Sequence, residues 1–339
     1  MLRFPASAHG RSGLRPQSLR ALRSLSVLLA LPAALTGCEA ALDLAGVEQQ
    51  SQQASQRTDF YQAMAANPRV ALLAGNDGVL LASADQGSNW QRRQIASGAS
   101  IIDLDACGDG SFIALGFDNR LWLSRDDGLS WQSLELPTKE QMMTSTCAPD
   151  GSWWVAGSYS TLLSSSDQGD NWEENSLDED ATLTTLQFLD AQQAVLTGEF
   201  GLVYISGDGG TSWQQAGSLP DEFYPHASHF ASLEEGWVGG LNGFIYHTSD
   251  GGESWQRQIT PSAAPIFNFS ANRDGLFAIG DHSSVLRLAG ERWETLPTPN
   301  APVYLRAASS SNDHRLTVAG GRGLLLNLDT RPALAAQAQ

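Results

Sequence analysis

The chain has 339 residues, 42% of them hydrophobic, and carries 20 basic against 37 acidic side chains for a formal net charge of −17. A surface this acidic argues against nucleic acid as a partner and against direct adhesion to anionic lipid headgroups.

The first 37 residues read as a secretory signal. Arg3, Arg11, Arg15, Arg20 and Arg23 form a positive leader, and residues 25–35 form an apolar core too short to anchor a bilayer. The core ends in Leu35-Thr36-Gly37-Cys38, the pattern of a lipobox, with Cys38 as the lipid attachment site and first residue of the mature chain. The alternative is an ordinary signal peptide with a chance cysteine. Several acyl chains on one residue would hold the protein firmly, since each buried methylene adds roughly 0.8 kcal/mol. Glu39, rather than Asp, follows the cysteine. The expected address is therefore the periplasmic face of the envelope, with the outer membrane favoured. Removing the signal takes away five arginines and no acid, so the mature chain has 15 bases against 37 acids, a net charge near −22.

Residues 38–58 are polar and Gln/Ser-rich, as expected of a tether. From residue 59 to about 330 the chain repeats itself. Ser/Thr-x-Asp-x-Gly-x-x-Trp occurs five times, with its Asp at 85, 126, 167, 208 and 250 and its Trp at 90, 131, 172, 213 and 255. The steps between the Asp positions are 41, 41, 41 and 42 residues. That period, with turn glycines and a recurring tryptophan, predicts β-propeller blades. A glycine lies ten residues before each Asp, at Gly75, Gly116, Gly157, Gly198 and Gly240, and recurs at Gly280 and Gly320 where the Asp motif has decayed. Trp293 keeps the tryptophan of the sixth repeat. The expectation is all-β: seven blades of four antiparallel strands, with Asp-box turns between strands C and D. In the second blade, 101–106, 111–115 and 121–123 read as strands A, B and C, and strand D begins near Trp131.

The last blade runs out of chain before a fourth strand. Residues 49–53 are expected to supply it and close the ring, which would remove an exposed sheet edge. The Ala-rich tail, 332–339, is the second choice.

The motif residues have a structural explanation. Asp85, Asp126, Asp167, Asp208 and Asp250, with their Ser/Thr partners, suit tight turns. Trp90, Trp131, Trp172, Trp213 and Trp255 can wedge between blades. Five carboxylates on five blades cannot converge on one metal ion. His226 and His229, three apart in a strand, point to opposite faces and make a poor metal pair. No metal, cofactor or catalytic residue is expected. Cys107 and Cys147 sit at equivalent places in blades 2 and 3. An oxidising compartment permits a bridge between them, although equivalent positions on neighbouring blades often stand farther apart than the roughly 4.4–6.8 Å that a bridge spans.

The motif is the Asp box, or BNR repeat, shown most fully from Gly239 to Trp255. The repeated pattern resembles the photosystem II assembly and stability factors, the Ycf48/HCF136-like propellers, over about residues 59–330. The resemblance implies a non-enzymatic, seven-bladed scaffold or assembly factor. The arginine patch of the photosynthetic members has no residue-by-residue counterpart here. Sialidases share the Asp box, but the chain lacks their FRIP-type motif and a converging arginine cluster, and seven glycines oppose their six blades.

In such a ring the B–C turns and D–A loops share one face. At the B–C turns stand Phe117, Tyr159, Phe200, Leu241, His282 and Arg322, with Asn76 in the first blade. Met142, Met143, Phe223, Tyr224, Phe267 and Tyr304 lie in or near the D–A loops. Aromatic, Met and Arg side chains gathered on one face suit a protein partner. The expected partner is a membrane or envelope protein, held by a monomeric propeller tethered through its N-terminal lipid. The alternative is a glycan-binding or vestigial sialidase-like propeller.

Overall fold

The computed structural model describes residues 46–47 and 51–331 apart from residue 313. Cys38, Gln49, Gln50 and the tail from 332 onward lie outside the described residues. Seven antiparallel sheets follow one another along the chain, six with four strands and the last with three. Each sheet is a simple meander in which every strand pairs with its sequence neighbour. Blade 2 illustrates the order: strand A is Ile101–Ala106, B is Phe112–Gly116, C is Arg120–Ser124 and D is Gln132–Glu135. The A strands of successive blades touch in turn, and that of blade 7 (Leu305–Asn312) returns to that of blade 1 (Tyr61–Ala66). The fold is a closed seven-bladed β-propeller.

The core lies between blades, and the motif residues create it. Trp131, from the Asp box of blade 2, packs on a cluster that joins Leu72, Leu80 and Ala82 of blade 1 to Phe112 and Ala114 of blade 2. Trp172 does the same one blade on, against Ile113, Leu115 and Leu121. The wedge role expected for the tryptophans is thus what the packing shows. In blade 6 a two-residue turn at Gly290-Glu291 replaces the Asp box, yet Trp293 still fills the gap to blade 5 and donates its indole N–H to Gln258 Oε1 at 2.8 Å.

Each Asp box is a small network of hydrogen bonds. In blade 1 the Ser83 hydroxyl donates to Asp85 Oδ1 at 2.8 Å and accepts from the Gly87 N–H at 2.7 Å. Asp85 Oδ1 also accepts from the Asn89 N–H at 2.8 Å. The same pattern recurs at Asp126, Asp167, Asp208 and Asp250. The motif glycine has positive φ, +87° at Gly210, where a Cβ would press 2.6 Å from the Trp154 ring. The landmark glycine has a different cause. At Gly75, Gly157, Gly198, Gly240, Gly280 and Gly320 a Cβ would collide with a backbone carbonyl where strand A begins.

The ring-closing strand expected at 49–53 is not formed by the part described. Ser51–Gln53 pair with no sheet, and the third strand of blade 7 (Leu325–Asp329) is its last among the described residues. Residues 51–59 form a turn wrapped on the carboxylate of Asp59, so their donors are used locally. Asp59 Oδ2 accepts from the Gln56 N–H at 2.7 Å, and its carboxylate takes both arms of Arg92 at 2.7 and 2.9 Å. The turn is tied to blade 7, with Ser55 Oγ donating to Gly323 O at 2.7 Å and the Gly323 N–H donating to Asp59 O at 2.8 Å. Apolar packing also spans the seam: Trp90 packs on a cluster that joins Leu73 and Leu81 of blade 1 to Ala307 and Ala319 of blade 7. Asn327 Nδ2 donates to Gly87 O at 2.6 Å across it.

Cys107 and Cys147 are disulfide-bonded, with Cα atoms 5.1 Å apart. The spacing argument against a bridge fails because both cysteines stand at the ends of A strands. Those innermost strands converge around the axis and approach far more closely than the outer ones. Two aspartates pull the same pair of strands together. Asp103 Oδ2 accepts from the Thr144 hydroxyl and the Ser145 N–H, both at 2.8 Å. Asp105 Oδ2 accepts from the Thr146 hydroxyl at 2.8 Å and the Cys147 N–H at 2.9 Å. Residues 103, 105 and 107 thus form three successive staples from one face of a strand.

The two sets of aspartates titrate in opposite senses. Hydrogen bonds hold the Asp-box carboxyls below the ordinary range, Asp85 at about 2, chiefly through the Asn89 N–H and side chain. Burial pushes Asp103 and Asp105 up, against the pull of their donors. The Asp boxes therefore contribute stability above the ordinary carboxylate pKa of about 3.9, lost as pH falls through their lowered values. Asp103 and Asp105 contribute in the protonated form, and that contribution is lost as pH rises through their raised pKa values. Urea midpoints should accordingly be highest in mildly acid solution. An Asp103→Asn/Asp105→Asn variant should lose the gain between neutrality and about pH 4. A wild-type midpoint that is flat across that window would contradict the assignment.

Candidate partner-binding face and channel mouth

The B–C turns and D–A loops do meet on one face. The Phe117 N–H donates to Ser100 O, Ser158 N–H to Gln141 O, Glu199 N–H to Thr182 O and Gly321 N–H to Tyr304 O, at 2.8 to 3.0 Å. The opposite face joins A–B turns to Asp boxes, as where Arg69 grips Asp127 at 2.8 Å.

Phe117, Tyr159, Phe200 and Leu241, on the consecutive blades 2 to 5, are 63%, 61%, 55% and 47% exposed. His282 and Arg322 continue the rim as exposed polar tips. Asn76 is only half-buried. The aromatic tips are held in an unusual backbone. Tyr159 and Phe200 have φ of +53° and +59°. The matching positive-φ residue in blades 1, 5, 6 and 7 is Asp77, Asn242, His282 and Arg322. Asn and Asp tolerate this left-handed region, whereas a bulky aromatic there is strained. Two exposed aromatics thus sit where turn chemistry favours Asn, and burial does not explain either.

The D–A residues divide. Phe223 is buried, edge-on to Tyr246 at 5.0 Å, and plugs the core. It is therefore not part of the exposed face expected from the sequence. Met142 is also buried. Tyr224, Phe267 and Tyr304 are half-buried at the mouth of the central channel.

That mouth has a feature that the sequence reading missed. Every A strand breaks register with its B strand at one equivalent place. The bulged residues are Gln62, Ile102, Met143, Thr184, His226, Phe267 and Arg306. All seven line one central cavity of about 190 Å³. A bulge re-aims a side chain, and here seven bulges aim one side chain per blade at the axis. Tyr224 and Phe267 pack against His226 with ring centroids at 5.2 and 5.7 Å. Tyr304 meets Phe267 at 6.5 Å and accepts from Gln62 Nε2 at 2.6 Å. Burial, with the nearby Arg306 charge, lowers the His226 pKa. His229 lies elsewhere, stacked on Trp237 at 6.4 Å. The two histidines thus occupy separate environments. Among the described residues no group of three or more His, Cys, Asp or Glu is placed to hold a metal ion. No helix among them is long and apolar enough to cross a membrane.

Seven meander blades, five intact Asp boxes and a bulge-lined channel define a seven-bladed Asp-box propeller. The family model described as photosynthesis system II assembly factor YCF48 matches residues 98–220 and 172–263. The chain is a YCF48-like β-propeller. A structure of YCF48 bound to a D1 peptide is 17% identical, with a TM-score of 0.67 over 81% of this chain and 93% of that one. YCF48 from Cyanidioschyzon merolae is 15% identical, with a TM-score of 0.67 over 80% and 96%. A catalytically inactive virginiamycin B lyase from Staphylococcus aureus, with quinupristin, is 12% identical, with a TM-score of 0.71 over 80% and 96%. At these identities the solved structures share the fold with this chain. No curated protein matches it significantly in sequence.

Proposed function

We propose that the protein is a non-enzymatic scaffold that holds a membrane or envelope protein during assembly, and that it is tethered to the periplasmic face of the envelope by lipid on Cys38. The observation that carries this reading is the row of exposed aromatic tips on consecutive blades, two of them kept in a strained backbone. Strain of this kind marks functional positions, and exposed aromatics are typical anchors of protein interfaces. That a YCF48 structure holds a peptide supports the reading, because it shows that a propeller of this kind accepts a client segment. A scaffold rather than a catalyst fits the channel chemistry. Asp103, the carboxylate lining the cavity, is already occupied by donors from blade 3.

The test is crosslinking and capture from native membranes with wild type and a Phe117→Asp/Tyr159→Asp/Phe200→Asp variant. One envelope protein recovered by wild type and lost by the variant is the expected result. Equal recovery with both would overturn the assignment of the face. Labelling with an alkyne fatty acid should mark the protein and vanish in Cys38→Ser.

The strain gives a second handle. Phe200→Asn and Tyr159→Asn should each stabilise the fold by about 1 kcal/mol, since the left-handed region costs an ordinary L-residue roughly 1–2 kcal/mol, while each weakens client capture. Chemical unfolding beside the capture assay reads both. A loss of stability in either variant would show that the aromatic supports the fold instead.

A further inference from the structure

We propose that the mouth of the central channel is a binding site for a carboxylate borne next to an aromatic or apolar group, with Arg306 as its anchor. The inference goes beyond the client-binding face and does not depend on it. Arg306 is half-buried in a chain whose acidic residues outnumber its basic ones almost two to one. Even so, its guanidinium meets no carboxylate and no other acceptor among the described residues. Other arginines are engaged: Arg69 with Asp127, Arg92 with Asp59, Arg120 with Glu135, and Arg257 over the ring of Phe244. The one carboxylate that lines the cavity, Asp103, is taken by Thr144, Ser145 and Leu104.

The surroundings give the rest of the ligand. Arg306 sits at the bulge of blade 7, in the ring that also presents Phe267 and His226. It is close enough to His226 and Tyr304 for its charge to bias the titration of both. A planar guanidinium fork matches a carboxylate with two parallel hydrogen bonds. The rings of Phe267 and Tyr304, set edge to face, offer an apolar corner beside it. The Arg306 guanidinium is partly open to the channel, so a carboxylate that enters replaces its water with a charge-assisted pair, the stronger kind of hydrogen bond. A cavity of about 190 Å³ suits a small acid or the last residue of a peptide. Both sources present the same chemistry.

The experiment is calorimetric titration of the mature propeller with phenylacetate and with acetyl-Ala-Phe bearing a free C-terminus. The corresponding amides of both serve as controls. We expect at least one acid to bind, its amide to bind at least tenfold more weakly, and Arg306→Gln to weaken the acid at least tenfold. Arg306→Lys should recover part of the loss. Arg257→Gln, on the outer strand of blade 5, should match wild type. Binding of phenylacetate alone would assign a small-molecule acid, and binding of the peptide alone a chain terminus. Failure of both acids at millimolar concentration overturns the proposal. So does equal binding of acid and amide, or an Arg306→Gln variant that binds as wild type. Retention of a neutral sugar that is insensitive to Arg306→Gln would likewise overturn it, in favour of a carbohydrate site.

Discussion

Reducing the Cys107–Cys147 bridge should lower the unfolding free energy by about 4 kcal/mol, the loop-closure entropy returned to an unfolded chain when a cross-link across some 40 residues is cut. The native structure should survive the cut. Asp103 and Asp105 hold the same two strands by hydrogen bonds to Thr144, Ser145, Thr146 and Cys147, and they do not depend on the sulfurs. The loss therefore falls mainly on the unfolded state. Far-ultraviolet circular dichroism should be unchanged, while the urea midpoint falls in reductant and in a Cys107→Ser/Cys147→Ser variant alike. A midpoint that barely moves would mean that the unfolded chain already keeps blades 2 and 3 together. Combining the serine variant with Asp105→Ala should cost more than the sum of the two. The strands would then have lost two neighbouring staples, and residues sharing one contact network do not add independently.

The sequence revealed what is local and repeated. An Asp box is a turn whose donors and acceptors lie within about seven residues, so its spacing shows both the turn and the blade count. Strand A of blade 2 runs over the predicted residues 101–106. The exposure of Phe117, Tyr159, Phe200 and Leu241 followed from their place at turn tips. What escaped depends on relations between blades. Phe223 and Tyr224 are adjacent and chemically alike, and only packing on Tyr246 decides that the first is buried. The bulges at residues such as His226 and Arg306 change no residue type, so periodicity carries no trace of them. One signal was available for the staples. Asp103 and Asp105 interrupt an otherwise apolar strand, and 41 residues on from each, where the repeat aligns them, stand Thr144 and Thr146. Comparing polar positions between repeats would have suggested a pairing between blades. At the seam, Ser51–Gln53 pair with no sheet among the described residues, and side-chain contacts such as Asn327 to Gly87 link blade 7 to blade 1.

At that seam Asp59 holds several groups at once. Asp59→Ala should destabilise the protein by about 2–3 kcal/mol. Removing one partner of a fully buried ion pair costs roughly 3–5 kcal/mol, and here the figure is reduced because the Arg92 side chain remains 34% exposed. The carboxylate itself is 3% exposed, and the substitution leaves the Gln56 N–H without its acceptor, Arg92 with only Ala54 O, and the Tyr61 hydroxyl with one partner. Tyr61 is fully buried, so its hydroxyl has no water to turn to; Ser55 Oγ at 2.8 Å is its remaining partner. The damage should be local first. Amide exchange should speed up across residues 54–61 and around Gly323, whose N–H is bonded to Asp59 O. The disulfide-linked blades should keep their protection. Asp59→Asn should lose about half as much, because the amide oxygen can still accept while the ionic pairing with Arg92 is gone. Acid should mimic the substitution. Burial raises the Asp59 pKa, but Arg92, the Gln56 N–H and Tyr61 outweigh it and hold the carboxyl below its ordinary value. The stability it gives is therefore complete above the ordinary carboxylate range and is lost as pH falls through the lowered value. If exchange at the seam is the same in wild type and Asp59→Ala, then the apolar cluster that joins Leu73 and Leu81 to Ala307 and Ala319 holds the seam unaided.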